Sequence, residues 1–206
     1  MKIGIDIDGV ILDFERTMQT YAELYDLLIL KKSGKINNNF SYLDKYDWTI
    51  DEKNRFINNY LVYATINSTP LIPLVKEMLE FFEIEGYSYE FITARGSLIK
   101  ETQSAITVVF KKYGIDLDNI HFQIKDKVAA CKKYGIDIMI DDNPDICLHL
   151  QQNKINTLYF RDKNSIILNE DSYLHEVTNI GEIIRYIVSI NGLNNCEKVY
   201  QKLLKK

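Results

Sequence analysis

Short β-branched runs alternate along this chain with amphipathic stretches, and that alternation restricts the fold more than any other feature. Lys2–Ile7, Tyr87–Ile92, Ile120–Ile124, Ile136–Ile140 and Ile155–Phe160 read as buried strands. Phe14–Ile29, a run around Asp51–Tyr60, the stretch after Pro73, Ser97–Tyr113, Lys127–Tyr134 and the stretch from Pro144 to Gln152 read as helices, with Ile180–Ile190 and Glu197–Leu204 completing the chain. Gly86, Gly114 and Gly135 sit where three of these helices must stop, since glycine takes the left-handed C-terminal conformation without a Cβ penalty. The hexapeptide KKYGID, present from Lys111 and again from Lys132, is the same glycine stop feeding a strand twice. With only 9 Gly and 3 Pro in 206 residues, collagen-like and linker-like chains are excluded.

Strands joined by helices require crossovers, and right-handed crossovers place helices on both faces of a parallel sheet. The expected architecture is a doubly wound, five-stranded parallel α/β sheet. The later strands follow one another at the spacing of a simple βαβ unit, but the first two are separated by residues 8–86. The excess predicts a small helical subdomain over residues 15–68, inserted into a core made of residues 1–14 and 69–206.

Asp6 and Asp8 lie at the carboxyl end of the first strand, where side chains two apart share a face, and Gly9 follows where the chain turns. Asp141 and Asp142 end the fourth strand; Asn143 or Asp142 is placed to cap the helix that Pro144 opens. Open α/β sheets bind ligands at the carboxyl ends of their strands. Four carboxylates gathered there call for a hard divalent ion, and all-oxygen ligation favours Mg²⁺. Thr93 follows the second strand, where a hydroxyl and the N–H groups around Ala94 could hold a phosphate oxygen. Lys127 opens the helix before the fourth strand and reaches the same rim, with Lys125 as its competitor.

Lys+Arg 25 against Asp+Glu 29 gives a net charge of −4, which offers no electrostatic basis for binding polymeric nucleic acid but leaves a small phosphorylated ligand open. Three widely spaced cysteines, without a CxxC, read as free thiols rather than a disulfide or zinc framework. No apolar run is long enough to span a membrane and the amino-terminal residues are too acidic for a signal peptide, so a soluble cytoplasmic protein is expected. A homodimer is compatible with the sequence. His121, His149 and His175 are scattered and read as structural.

Asp6-Ile7-Asp8-Gly9-Val10, Ile92-Thr93, a helix-opening lysine and Ile140-Asp141-Asp142 resemble, in order and context, the four motifs of the haloacid dehalogenase superfamily of phosphohydrolases. With Asp13-Phe14, Ile-Thr-Ala-Arg and Lys-Asp-Lys added, they look like the 5′(3′)-deoxyribonucleotidase (cytosolic type C 5′-nucleotidase) family. The resemblance covers about Lys2–Phe14 and Pro70–Phe160. It implies a Mg²⁺-dependent phosphatase acting on nucleoside monophosphates. Asp6 would form an aspartyl-phosphate and Asp8 would serve as acid and then base. The ion would sit on Asp6, the Asp8 carbonyl and Asp142, with Asp141 a ligand or a support behind one. Thr93, Ala94 and Lys127 would hold the phosphoryl oxygens. The inserted subdomain would cap the site, with Trp48 the best ring to stack on a base among Phe40, Tyr42, Tyr46, Phe56, Tyr60 and Tyr63, and with Asp13, Phe14 and Arg95 as further substrate contacts. The same core chemistry on a sugar phosphate or another small phosphomonoester is the alternative. A non-catalytic phosphate-binding module is a third reading, opposed by the presence of both Asp6 and Asp8, and a receiver-like domain is opposed by length and by the insertion.

Overall fold

The computed structural model describes residues 1–39, 41–97, 99–161, 165–199 and 201. Six parallel strands form one sheet in the order β3-β2-β1-β4-β5-β6. They are β1 (Lys2–Ile5), β2 (Ser88–Ile92), β3 (Ile120–His121), β4 (Ile138–Asp141), β5 (Asn156–Phe160) and β6 (Leu174–Val177). The chain winds outward from β1 through β2 to β3, then returns to the other side of β1 with β4 and continues outward. The gap between β1 and β4 is therefore the point where the winding reverses, the place at the strands' carboxyl ends where open α/β sheets bind their ligands. Ile3, Ile5, Phe91, Ile138, Ile140 and Leu158 fill the sheet interior.

The sixth strand corrects the expected five. Its sequence, Leu-His-Glu-Val, buries Leu174 and Val177 but leaves His175 and Glu176 half-exposed, so no period-two alternation announces it. It pairs in register with β5, Tyr159 opposite Glu176, and Arg161 Nε donates to Glu176 Oε1 at 2.5 Å.

The helices are α1 (Phe14–Leu24), α2 (Ile50–Asn67), α3 (Val75–Glu85), α4 (Glu101–Tyr113), α5 (Lys127–Tyr134), α6 (Pro144–Gln152), α7 (Ile180–Asn191) and α8 (Cys196–Val199). Most of the expected final helix beyond Val199 lies outside the described residues, as does Phe40. Both copies of KKYGID behave alike: Gly114 and Gly135 end α4 and α5 in the left-handed conformation, with φ of +70° and +66°. Helix α3 starts one residue later than its apolar pattern suggests, because Leu74 takes φ +68° and stands exposed. No described helix is long and apolar enough to cross a membrane. Cys131 and Cys147 are buried free thiols. His121 pairs with Glu90 at 2.8 Å and stacks on Tyr134, while His175 packs on Tyr186.

Between β1 and β2 the chain is helical. It leaves and returns side by side: the Asp13 N–H donates to the Pro70 carbonyl at 3.0 Å and the Ile72 N–H to the Ile11 carbonyl at 2.9 Å. The expected helix Phe14–Ile29 is α-helical only to Leu24 and then widens into a π-helical turn, Tyr25–Leu30. The wider turn rotates the face, so Tyr25 and Asp26 go inside and Leu27, Leu28 and Ile29 face out. Asp26, 1% exposed, accepts from Trp48 Nε1 at 2.7 Å and from the Gly34 N–H at 2.8 Å. Tyr25, Tyr46, Trp48 and Phe56 pack as one ring cluster, with Tyr46 stacked on Trp48 at 4.6 Å. Helix α2 opens on a capping box in which Thr49 and Glu52 each bond the other's backbone N–H.

Candidate active site

The ends of β2, β1 and β4 are neighbours in the sheet, and each carries a residue that the sequence nominates. The Asp6 N–H donates to the Ile140 carbonyl at 2.9 Å, extending the β1–β4 pairing to the rim. Asp141 is the last residue of β4, fully buried, and Asp6 is 7% exposed. Lys127, the first residue of α5 and 5% exposed, puts Nζ between them, bonding Asp6 Oδ1 and, at 2.5 Å, Asp141 Oδ2. Lys125 is exposed and takes no part. The loop that delivers Lys127 is tied to the end of β2: the Ile124 N–H donates to the Thr93 carbonyl and the Gln123 N–H to the Arg95 carbonyl, both at 2.9 Å.

Two charges on one cation leave the site rich in negative charge. Burial, with Asp141 and Asp8 adding repulsion against the pull of Lys127, lifts the Asp6 carboxyl to about 7. Burial likewise holds the Asp142 carboxyl well above the ordinary range, helped by Asp6 and Asp141. Lys127 is held protonated: burial opposes its charge, but Asp141 and Asp6 outweigh it.

Asp6, Asp141 and Asp142 each bring a carboxylate oxygen within 4.8 Å of the others. These are hard oxygen donors at the strands' carboxyl ends, and the set fits a small divalent cation. Asn143, not Asp142, caps α6, accepting from the Asp145 and Ile146 N–H groups at 3.0 and 3.2 Å and leaving Asp142 for the cluster. The Asn143 N–H donates to Asp141 Oδ1 at 3.0 Å. Gly9, at φ +79°, lies so close that a Cβ there would stand 1.8 Å from Asp142 Oδ2. Gly9→Ala should therefore displace Asp142, cost about 1–3 kcal/mol through strain and overpacking, and, if the cluster takes a divalent cation, weaken the response of the melting midpoint to added Mg²⁺. Thermal denaturation with and without Mg²⁺ measures both.

Asp8 faces a different partner. Arg95 Nε donates to its Oδ2 and Nη2 to its Oδ1, each at 2.7 Å, in a bidentate fork. Arg95 Nη1 donates at 3.0 Å to Thr65 Oγ1 on α2, and the guanidinium lies 4.2 Å from the Phe14 ring centre. Burial works against the charge of Arg95, and the Asp8 carboxylate more than offsets it. Thr93, 2% exposed, accepts the Arg95 N–H at 3.1 Å, which leaves its own hydroxyl hydrogen to donate. Ala94 beside it is exposed.

Several expectations need correction. Helix α4 begins at Glu101, so no helix N-terminus lies at Thr93; a turn closed by the Ser97 N–H on the Ala94 carbonyl at 3.1 Å stands there instead. Trp48 is 6% exposed within the ring cluster and offers no face for stacking. Phe14 is buried under Arg95, and Arg95 is held by Asp8 and Thr65 rather than turned toward a substrate. Asp13 pairs with Arg16 at 3.4 Å. Thr65 escaped the sequence reading because a lone threonine inside a helix carries no signal; its hydroxyl donates to the Leu61 carbonyl at 2.8 Å and so presents a lone pair to Arg95.

No protein-family model matches the sequence, and no curated protein matches it. Solved structures with the same fold do exist. A haloacid dehalogenase hydrolase, family IA, variant 3, from Entamoeba histolytica is 13% identical, with a TM-score of 0.64 over 92% of this chain and 98% of that one. A predicted phosphoglycolate phosphatase from Haemophilus somnus is 15% identical, with a TM-score of 0.61 over 90% and 96%. A candidate β-phosphoglucomutase from Thermotoga maritima is 14% identical, with a TM-score of 0.56 over 92% and 99%. The chain has the fold of haloacid dehalogenase-like hydrolases; at these identities the likeness speaks to fold.

Proposed function

We propose that this chain is a phosphomonoester hydrolase in which Asp6 is the nucleophile and Asp8 the acid and base. The observation that carries the reading is the buried Asp6–Lys127–Asp141 group, with Asp142 beside it, at the point where the winding of the sheet reverses. Lys127 holds Oδ1 of Asp6, which leaves Oδ2 to attack phosphorus in line with the departing alcohol. Asp8 accepts from Arg95 at both oxygens; once it has taken up a solvent proton on a lone pair that the fork leaves free, it would give that proton to the leaving oxygen as the Oδ2–P bond forms and the ester P–O bond breaks. Asp8 then takes a proton from the water that attacks the aspartyl-phosphate, releasing phosphate and restoring Asp6. The Thr93 hydroxyl and Lys127 would be the donors that hold phosphoryl oxygens, with the exposed Ala94 backbone beside them. Asp6, Asp142 and the Asp8 carbonyl, supported by Asp141, are the groups that would hold Mg²⁺, whose charge would draw the phosphoryl group onto the carboxylates.

Residues 15–68 would act as a cap over a core of residues 1–14 and 69–206; the paired outgoing and returning strands at Leu12 and Leu71 suit a neck between the two. Within the substrate class, a sugar phosphate or other small phosphomonoester is the better reading, and a nucleoside monophosphate the weaker. The nucleotide reading needs a ring from the insertion, and Trp48 is committed to Asp26 and Tyr46. The solved counterparts include proteins described by phosphoglycolate and β-phosphoglucose chemistry, which points the same way. Trp48→Phe, which leaves Asp26 short of a donor, should then cost about 1–3 kcal/mol of stability while the KM for the best substrate stays unchanged; a raised KM for a nucleotide would restore the stacking role.

A panel of hexose phosphates, phosphoglycolate, nucleoside monophosphates and p-nitrophenyl phosphate, with Mg²⁺ and with chelator, tests the reading. Mg²⁺-dependent phosphate release, highest on a hexose phosphate or another small non-nucleotide ester, is the expected result. Release confined to nucleotides would overturn the substrate class, and no release from any ester would overturn the function.

A further inference from the structure

We infer that Arg95 is a positioning residue for Asp8, and that Thr65 makes this positioning depend on where helix α2 lies; the inference rests on the phosphatase reading above. The guanidinium touches three separate parts of the chain. Nε and Nη2 fix both oxygens of Asp8, Nη1 is held by Thr65 of α2, and its face covers Phe14 at the start of α1. Its backbone is pinned as well, the N–H to Thr93 Oγ1 and the carbonyl by the Gln123 N–H. An arginine so enclosed, 7% exposed, has no direction in which to reach a substrate without releasing Asp8.

What it does reach is decided by carboxylate geometry. A carboxylate has about four lone-pair sites, and a bidentate fork takes two of them. The remaining sites of Asp8 then point in directions set by Arg95 rather than by the free rotation of the aspartate. A base that must take a proton from water works only when it is aimed within hydrogen-bond reach of that proton. Thr65 supplies the third anchor, and it sits on the far side of the paired neck from Asp8, in the inserted helix. Moving α2 away from the sheet would pull the lone pair of Thr65 from Nη1 and loosen the fork. The aim of Asp8 is thereby linked to the seating of α2.

The step that depends most on this aim is the second, in which Asp8 takes the proton from water while the Oδ2–P bond of the aspartyl-phosphate breaks. With p-nitrophenyl phosphate the first step needs little help, since nitrophenolate leaves without a proton. The experiment compares wild type, Arg95→Gln, Thr65→Val, Thr65→Ser, Asp8→Asn and the Asp8→Asn/Arg95→Gln double variant, with Mg²⁺, by stopped-flow release of nitrophenolate. Arg95→Gln should give a burst of about one equivalent per enzyme and then turnover slowed about a hundredfold, as expected for loss of an aimed acid–base group. Thr65→Val should show the same pattern at about tenfold, and Thr65→Ser should restore the rate, because a single neutral anchor contributes less than the charged fork. The double variant should be no slower than Asp8→Asn alone, because Arg95 acts through Asp8.

A loss for Arg95→Gln that multiplies that of Asp8→Asn, or a rise in KM with kcat retained, would overturn the inference by making Arg95 a substrate contact. Equal slowing of burst and turnover would reduce it to a structural residue. Should Arg95→Gln fail to fold, Thr65→Val decides alone, and a wild-type rate in that variant overturns the link to α2. Wild-type turnover with these patterns absent counts against this inference only; a wild type inert toward every ester removes the phosphatase reading itself.

Discussion

Asp6→Asn should, on the proposed mechanism, lower Mg²⁺-dependent phosphate release by about three orders of magnitude or more, the scale of removing a nucleophile from a site whose parts act together, and should leave the fold intact. Asparagine has the shape of the carboxylate, and Lys127 keeps Asp141 as its partner at 2.5 Å. The wild-type carboxyl is itself held up to about 7 by burial, so the neutral side chain removes a charge that the folded site tolerates poorly. The metal-free thermal midpoint should therefore hold or rise above that of the wild type. Initial rates on the best ester of the panel, beside a melting curve in chelator, measure both halves. Activity within tenfold of wild type would mean that another group attacks phosphorus; a lost rate with a lowered midpoint would mean that Asp6 is needed for folding, and the rate would then say nothing of its chemistry.

The carboxylates of this site are legible in the sequence because their signal is local. Each stands at the end of a short apolar strand, and strand ends in a doubly wound sheet share a rim. Asp6, Asp141 and Asp142 come together as the strand pattern requires, and Lys127 reaches them because α5 starts where its glycine-stopped pattern places it. Elements whose signal is not local were missed or misplaced. Strand β6 buries only its first and last residues and depends on β5 for its pairing. Trp48 looks like a surface ring between Asp47 and Thr49. Its burial depends on a π-helical turn that carries Asp26 inward, and no residue pattern in Tyr25–Leu30 announces that widening. The partnership of Arg95 and Thr65 joins the end of β2 to a helix inserted after β1. In the sequence Arg95 is an arginine near a rim and Thr65 an unremarked helix residue.

Lys127→Met should be the most destabilising single change in the site. It removes the cation that lies between Asp6 and Asp141 and leaves two carboxylates buried against each other, with Asp142 adjacent. Breaking a buried ion pair by deleting one partner typically costs about 3–5 kcal/mol. For a chain of this size, each kcal/mol lowers the melting midpoint by about 2–4 °C. The chelator-treated variant should therefore melt about 6–20 °C below the wild type. Methionine fills much of the volume of the lysine stem, so the loss is electrostatic more than steric. A second arm follows from the same charges. With Lys127 gone, the cluster has more uncompensated negative charge, and a divalent cation becomes its remaining source of neutralisation. Mg²⁺ should thus raise the midpoint of Lys127→Met by more degrees than that of the wild type, although on the proposed mechanism phosphate release stays low because a hydrogen-bond donor to the phosphoryl oxygens is missing. A variant that melts with the wild type in chelator would show that the charge of Lys127 is not what keeps these two side chains buried together. A variant that is destabilised but unmoved by Mg²⁺ would separate the buried ion pair from metal binding and place the cation, if one binds, elsewhere on the rim.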